Sequence, residues 1–241
     1  YDQYVAYILL YFFTPVLTSM RGLQQASNFQ QLRKKLKLGR FSLGSFSEAG
    51  HVFDPQLLEP IIEQLAHSIS PVRNDLQLPG IDVALTAVDG TLLHAMPKML
   101  WALWLDDEHR AAKMHLQYDI LKGIPTKASI TPANSGERTA LSVHLAPGHL
   151  YVLDRGYADY ALLGRILDKK SSFVIRIQNK AVYQIIQERP ISQEARNAGI
   201  QRDLIVKLGS KGAPQLHDKQ IRLVEIHKTD TAALMGRPCR K

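Results

Sequence analysis

Apolar residues recur along this chain in two periods, and the change from one to the other divides it. Residues 4–17 (YVAYILLYFFTPVL) form an apolar run of 14 residues interrupted by Pro15. A bilayer span needs roughly 20 residues, so the run predicts a buried helix rather than a membrane segment. No charged stretch precedes it, since the first basic residue is Arg21, and a secretory signal is not expected. Residues 27–37 (SNFQQLRKKLK) have helical spacing, with Ser27 as N-cap and Gly39 as stop. Residues 42–47 (SLGSFS) read as a loop, and Asp54-Pro55 opens another helix to about Ser68. Prolines from 71 to 79 then punctuate the chain, so residues 1–78 are expected to form a helical unit.

From Ile81 the period shortens. Residues 81–88 (IDVALTAV) read as a largely buried strand that Gly90 ends or kinks. A segment at 98–105 (KMLWALWL) and an acidic turn, Asp106, Asp107 and Glu108, follow. Strands are expected at 111–120 and 125–131, a turn at 132–136, and a helix beginning near Glu137. Residues 149–153 (HLYVL) form a short buried strand, 159–169 an amphipathic helix, and 172–177 a further strand. Strands alternating with helices predict an α/β layer around one mixed sheet over residues 79–180. Beyond Lys180, strand-like segments at 181–187, 203–208 and 219–227 are separated by polar loops, so residues 181–241 read as a β-rich insertion or subdomain.

Charge sharpens this division. Residues 1–168 carry 15 Lys or Arg against 16 Asp or Glu, whereas residues 169–241 carry 15 against 6, a net charge of +9. A near-neutral body with a basic last third fits a polyanion partner, because neutralised phosphates release counterions; a solvated basic surface is the other reading. The run Arg33, Lys34, Lys35, Lys37 and Arg40 offers the same pair of readings in the helical part. The single cysteine, Cys239, excludes a disulfide framework and a thiolate metal site, and fits a reducing cytosol. The first residue is Tyr1 rather than Met, which suggests a longer reading frame.

Two aspartates share a local setting. Asp89 ends the apolar run LTAV and Asp154 ends YVL; a glycine follows each within two residues, as DG and DRG. Each reads either as a turn or cap former or as a ligand. Two carboxylates on neighbouring strand ends would repel each other unless cations lay between them, and then both stay ionised. Hard oxygen donors with open positions suit Mg²⁺. Two such ions about 4 Å apart serve in-line displacement at phosphorus. His94, His144 and His149 lack close ligand spacing and read as structural or surface histidines.

The runs AVDGTLL, KMHLQYD (113–119) and LYVLDRGYADYALL (150–163) resemble the catalytic core of DDE transposases of the insertion-sequence-four group. The N-terminal stretches YVAYILLYFFTPVLTSMRGLQQAS and SLGSFSEAGHVFDPQLLEP resemble that group as well. The two acids are 65 residues apart. The resemblance implies a ribonuclease H-like fold, with Asp89 and Asp154 as the first two ligands of a site for two Mg²⁺ or Mn²⁺ ions. It also implies double-stranded DNA, transposon ends and target, as partner; no membrane role; self-association during transposition; and action in the bacterial cytoplasm on the nucleoid. By the same resemblance Arg155 and Tyr157 are candidates for DNA or positioning contacts, as are Lys113 and His115, with packing the alternative for Tyr157, Lys113 and His115. The group's third motif, a Tyr-x-x-Arg-x-x-x-Glu helix after the β-rich insertion, has no match. Glu225 falls in an alternating strand, and Glu188 and Glu194 in a polar loop. The expectation is therefore a truncated transposase, inactive or nearly so by itself, with a DNA-binding, non-catalytic remnant as the alternative. Asp-Gly-Thr-Leu also resembles the Asp-x-Asp-Gly-Thr loop of haloacid-dehalogenase-like phosphatases, but Ala87 stands where the nucleophile belongs.

Overall fold

The structure, a computed structural model, describes residues 1–71, 83–94, 111–132, 134–178, 180–209, 216 and 218–227. The segment expected at 98–105, the acidic turn of Asp106, Asp107 and Glu108, and most of the proline-punctuated stretch from 71 to 79 lie outside the described residues. The chain divides into two compact units, residues 1–61 and 62–241.

The first unit is helical: α1 (Asp2–Phe13), α2 (Met20–Ala26), α3 (Gln30–Leu36) and α4 (Leu43–Val52). Tyr4, Tyr7, Ile8 and Tyr11 form one stripe of α1 at helical spacing and pack around Leu23 and Phe46. Aromatic edges fill this core, with ring centroids 4.7 Å apart for Tyr7 and Phe41 and 4.5 Å for Phe41 and Phe46. The Tyr7 hydroxyl donates to the Gly39 carbonyl at 2.8 Å. The expectation of a wholly buried helix at 4–17 is corrected: Leu9, Phe12, Phe13 and Val16 are exposed, because only the tyrosine stripe meets a partner.

Three further expectations change here. Ser27 closes α2 instead of opening a helix; its hydroxyl donates back to the Gln24 carbonyl, and α3 starts three residues later. The stop of α3 is Lys37, in the left-handed conformation, not Gly39. The predicted loop at 42–47 belongs to α4, whose N-cap Ser42 accepts from the Ser45 amide. Weak helix formers are held there by the cap and by the buried Phe46 anchor. The helix expected from Asp54 to Ser68 is present as a 3₁₀ turn, Pro55–Leu58, capped by Asp54, and α5 (Glu59–Ser68).

The second unit holds two sheets. Strands β1 (Ala84–His94), β2 (Ala111–Asp119), β3 (Ile124–Pro132), β4 (His149–Leu153) and β5 (Ser172–Ile175) lie in the order β3-β2-β1-β4-β5. The first three pair antiparallel, while β4 and β5 run parallel to β1. Between β3 and β4 lies α6 (Glu137–Val143), and α7 (Tyr160–Asp168) makes the crossover that parallel pairing of β4 and β5 requires. This mixed α/β layer agrees with the ribonuclease H-like core that the sequence implied. Gly90 does not end β1: the strand continues to His94, paired throughout with β2.

A three-stranded antiparallel sheet follows, β6 (Tyr183–Arg189), β7 (Ile200–Leu208) and β8 (Ile221–Ile226) in the order β6-β7-β8, with the short α8 (Gln193–Asn197) before β7. Its inner residues Leu204, Val206 and Leu208 join one core with Leu162, Leu163 and Ile166 of α7 and with Val88, Tyr151 and Leu153 of the first sheet. The apolar face of α7 is thus buried among residues of both sheets. Asp159 sets the start of that helix, accepting from the Leu162 amide at 2.8 Å. Asp159→Ala should lower unfolding free energy by about 1 kcal/mol in urea titration, the usual value of a lost N-cap; no change would show that the packing of α7 alone sets its start.

Candidate functional site

β1 is longer than its neighbour β4, and the site lies where they part. Their parallel register ends at Val88 opposite Leu153. The next residues are Asp89 and Asp154, so the register delivers both carboxylates side by side at the same rim. β4 and β5 end at Leu153 opposite Ile175, and the next residue there is Arg176. A row of Asp89, Asp154 and Arg176 therefore follows from strand pairing alone. All three are exposed, and among the described residues Arg176 makes no ion pair.

Each aspartate is oriented by its own backbone. One Asp89 oxygen accepts from the Gly90 amide at 2.8 Å, and Asp154 caps the 3₁₀ turn Arg155–Tyr157 by accepting from the Arg155 amide. Each carboxylate keeps a second oxygen outside these contacts. Exposed oxygen donors of this kind suit a hard divalent cation. Among the described residues, no three His, Cys, Asp or Glu side chains stand close enough together as placed to hold a metal ion.

On the adjoining face, Glu137 begins α6 and reaches over the two glycines that follow the aspartates. A Cβ on Gly90 would lie 3.0 Å from Glu137 Oε1, and one on Gly156 would lie 3.8 Å from Oε2. Glycine at 90 thus leaves the room that this carboxylate fills. Lys113 of β2 pairs with Glu137 at 3.1 Å, both half-buried. Arg138, next along, donates to the Gly156 carbonyl at 2.9 Å and ties α6 to the turn after Asp154. Sequence reading placed a helix start at Glu137 without giving it a role; its position between the two glycines depends on tertiary packing.

A small cavity of about 10 Å³ is lined by His115, Glu137, His144 and Tyr157 among others. Tyr157 is 2% exposed, and its buried hydroxyl has no hydrogen-bond partner. Burial first, then Glu137, Asp89 and Asp154, raise its pKa far above the ordinary phenol value, so it stays protonated. His115 Nε2 meets Thr131 Oγ1 at 2.8 Å, while its buried Nδ1 is also unpartnered. Burial and the neighbouring Lys113 hold His115 below the usual imidazole range despite Glu137, so it is neutral at physiological pH.

The other candidates separate cleanly. Arg155 is exposed at the turn after Asp154. His149 is structural: Nδ1 meets Thr86 Oγ1 at 2.8 Å and the ring stacks on Tyr151, and burial keeps it neutral. Glu188 and Glu194 are not loop residues, as expected, but lie in β6 and α8. Glu188 and Glu225 both pair with Arg202, and Asp203 pairs with Arg222 at 2.9 Å. These acids hold the three-stranded sheet together and are remote from a ligand role. Several cations of the basic third are likewise engaged, whereas Lys169, Lys170, Arg176, Lys180, Arg196 and Lys207 make no ion pair among the described residues. No helix among those residues is long and apolar enough to cross a membrane.

A family profile described as a transposase DDE domain matches residues 84–232, which begin with β1 and include both aspartates. A curated protein of Sinorhizobium fredii (strain NBRC 101917 / NGR234), "Putative transposase y4zB", is 29% identical over 109 residues. That match takes in 44% of this chain and 31% of the relative, so the chain corresponds to about a third of the relative's length.

Proposed function

Because the chain belongs to the transposase DDE domain family, we propose that it is the catalytic part of an insertion-sequence DNA transposase whose Asp89 and Asp154 hold divalent cations, Mg²⁺ or Mn²⁺. The observation that carries this reading is the shared register, which sets the two carboxylates on adjacent residues of parallel strands at one rim. Cations bound there would activate an attacking oxygen and stabilise the leaving one during displacement at a DNA phosphate.

The protein's own part is positional and electrostatic. The Gly90 and Arg155 amides fix one oxygen of each aspartate, leaving the other for the cation. Arg155, exposed in the turn after Asp154, and Arg176, exposed at the end of the row, supply positive charge for the DNA backbone, and the unpaired lysines extend that charge over the basic third. Self-association and the recognised terminal repeats belong to the same proposal. Glu188 and Glu225 are occupied by Arg202, and no described residue after β5 takes the place of the family's helical glutamate. The reading therefore includes weak cleavage by this chain alone, with metal and DNA binding retained; a remnant that binds DNA without metal is the competing outcome.

Mn²⁺ titration separates the two. Calorimetry on the chain should show binding that Asp89→Asn and Asp154→Asn each weaken at least tenfold, while DNA affinity in metal-free buffer changes less than threefold. Unchanged Mn²⁺ affinity in both variants would discard the two-aspartate site.

A further inference from the structure

We infer that one buried water molecule joins the Tyr157 hydroxyl to Nδ1 of His115, and that this bridge sets the spacing of Asp89 and Asp154. Tyr157 and His115 are then positioning residues for the metal site. The inference rests on the proposed two-aspartate site and adds what holds its carboxylates at their separation.

Hydrogen-bond roles carry the first step. Thr131 Oγ1 donates to the Pro132 carbonyl at 3.3 Å, so its proton is engaged and it accepts from Nε2–H of His115 at 2.8 Å. A neutral imidazole has one N–H, and with that proton on Nε2 the buried Nδ1 is a bare acceptor. The Tyr157 hydroxyl, protonated and also buried, is a donor without an acceptor. Left so, each group costs free energy. Both residues line the same cavity, whose volume of about 10 Å³ matches a single water molecule. That water accepts from Tyr157 and donates to His115. The Glu137 carboxylate, on the same cavity, offers an acceptor for its second hydrogen.

Placement carries the second step. His115 stands opposite Gly90 in the pairing of β1 with β2, one residue beyond Asp89. Tyr157 closes the 3₁₀ turn that Asp154 caps; its amide donates to the Asp154 carbonyl at 3.0 Å, and its ring is buried with Val88 and Leu153. The bridge thus ties the strand position beside Asp89 to the turn behind Asp154. Strand register fixes the two chains as far as Val88 and Leu153. Past that point the pairing of β1 with β4 stops, and the bridge takes over. Exposures of 2% for Tyr157 and 8% for His115 suit both side chains to this role rather than to contact with a duplex.

The test is Tyr157→Phe in the whole chain, which keeps the ring and removes the hydroxyl. Loss of a merely unpaired hydroxyl would leave the urea midpoint unchanged or raise it, whereas loss of the bridge lowers it. The nitrogen resonance of His115 Nδ1, identified by its absence from His115→Leu, should move to higher chemical shift, because the water that donates to it loses its anchor. Mn²⁺ affinity by calorimetry should fall about tenfold, the low end for losing a hydrogen-bonded support of a metal ligand. His115→Leu should weaken Mn²⁺ binding to the same extent, and it decides the matter should Tyr157→Phe fail to fold. The double variant should bind no more weakly than the worse single one, since both changes break one bridge. An unmoved His115 resonance, or wild-type Mn²⁺ affinity in Tyr157→Phe beside weakened binding in Asp154→Asn, overturns the inference and leaves the two-aspartate site standing. Wild-type affinity in Asp154→Asn overturns that site and with it the positioning role.

Discussion

Ile166→Ala is expected to lower the unfolding free energy of the second unit by about 2–5 kcal/mol, the range for removing a large aliphatic side chain from a site that cannot collapse. Ile166 is fully buried on α7, in a core that takes residues from both sheets. Deleting its three outer carbons removes contacts to each sheet at once. Because the core is shared, the urea transition followed by far-ultraviolet circular dichroism should shift to lower denaturant. Ile166→Val, which keeps most of the volume, should cost only about 0.5–1.5 kcal/mol. A loss below about 1 kcal/mol for the alanine variant would show that the three-stranded sheet does not depend on this shared core.

The sheets were legible in the sequence because their strands announce themselves locally. Residues 149–153 are a short apolar run closed by Asp154, and the observed β4 has those bounds. β2 alternates, and α7 carries Leu162, Leu163 and Ile166 on one face behind an N-capping aspartate. What local pattern could not supply was the meaning of Gly90. Read alone, a glycine after a strand acid marks an end; in the fold it is the point where β1 outruns β4 and where Glu137 occupies the space of a side chain. The helical unit shows the converse difficulty. Residues 42–47 are rich in serine and glycine and read as a loop, yet the Ser42 cap and the burial of Phe46 make them helical. Tertiary contacts outweigh weak propensity there.

The candidate site was half visible for a related reason. Asp89 and Asp154 share a local setting, apolar strand then acid then glycine, so they can be recognised without a fold. Glu137 and Arg176 have no such setting. Glu137 looks like the first-turn acid that any helix favours, and Arg176 like one cation among the many of a basic third. Only the order β1-β4-β5 brings Arg176 into line with the aspartates, and only packing of α6 over the strand ends brings Glu137 to the glycines. The basic third also means something different once folded. Arg202 and Arg222 contribute to net charge on paper, but their guanidinium groups are bound to Glu188, Glu225 and Asp203.

That difference gives the second large effect, on DNA affinity. Arg176→Ala should weaken binding to duplex DNA by about ten- to a hundredfold, in line with loss of one charge-assisted contact to phosphate of about 1.5–3 kcal/mol. It should also reduce the magnitude of the slope of log affinity against log salt by about 0.9, the counterion share of one phosphate. Arg202→Ala removes the same formal charge from the same third of the chain. Its guanidinium is already paired with Glu188 at 3.2 Å and with Glu225 at 3.7 Å, so the salt slope should stay within error of the unmodified chain. Fluorescence anisotropy with a labelled duplex, repeated from 50 to 200 mM salt, reads both quantities. Equal slopes for the two variants would mean that DNA responds to net charge alone, and that the rim row of Asp89, Asp154 and Arg176 is not where the duplex lies. A reduced slope for Arg176→Ala alone would place the phosphate backbone at that rim, within reach of both aspartates.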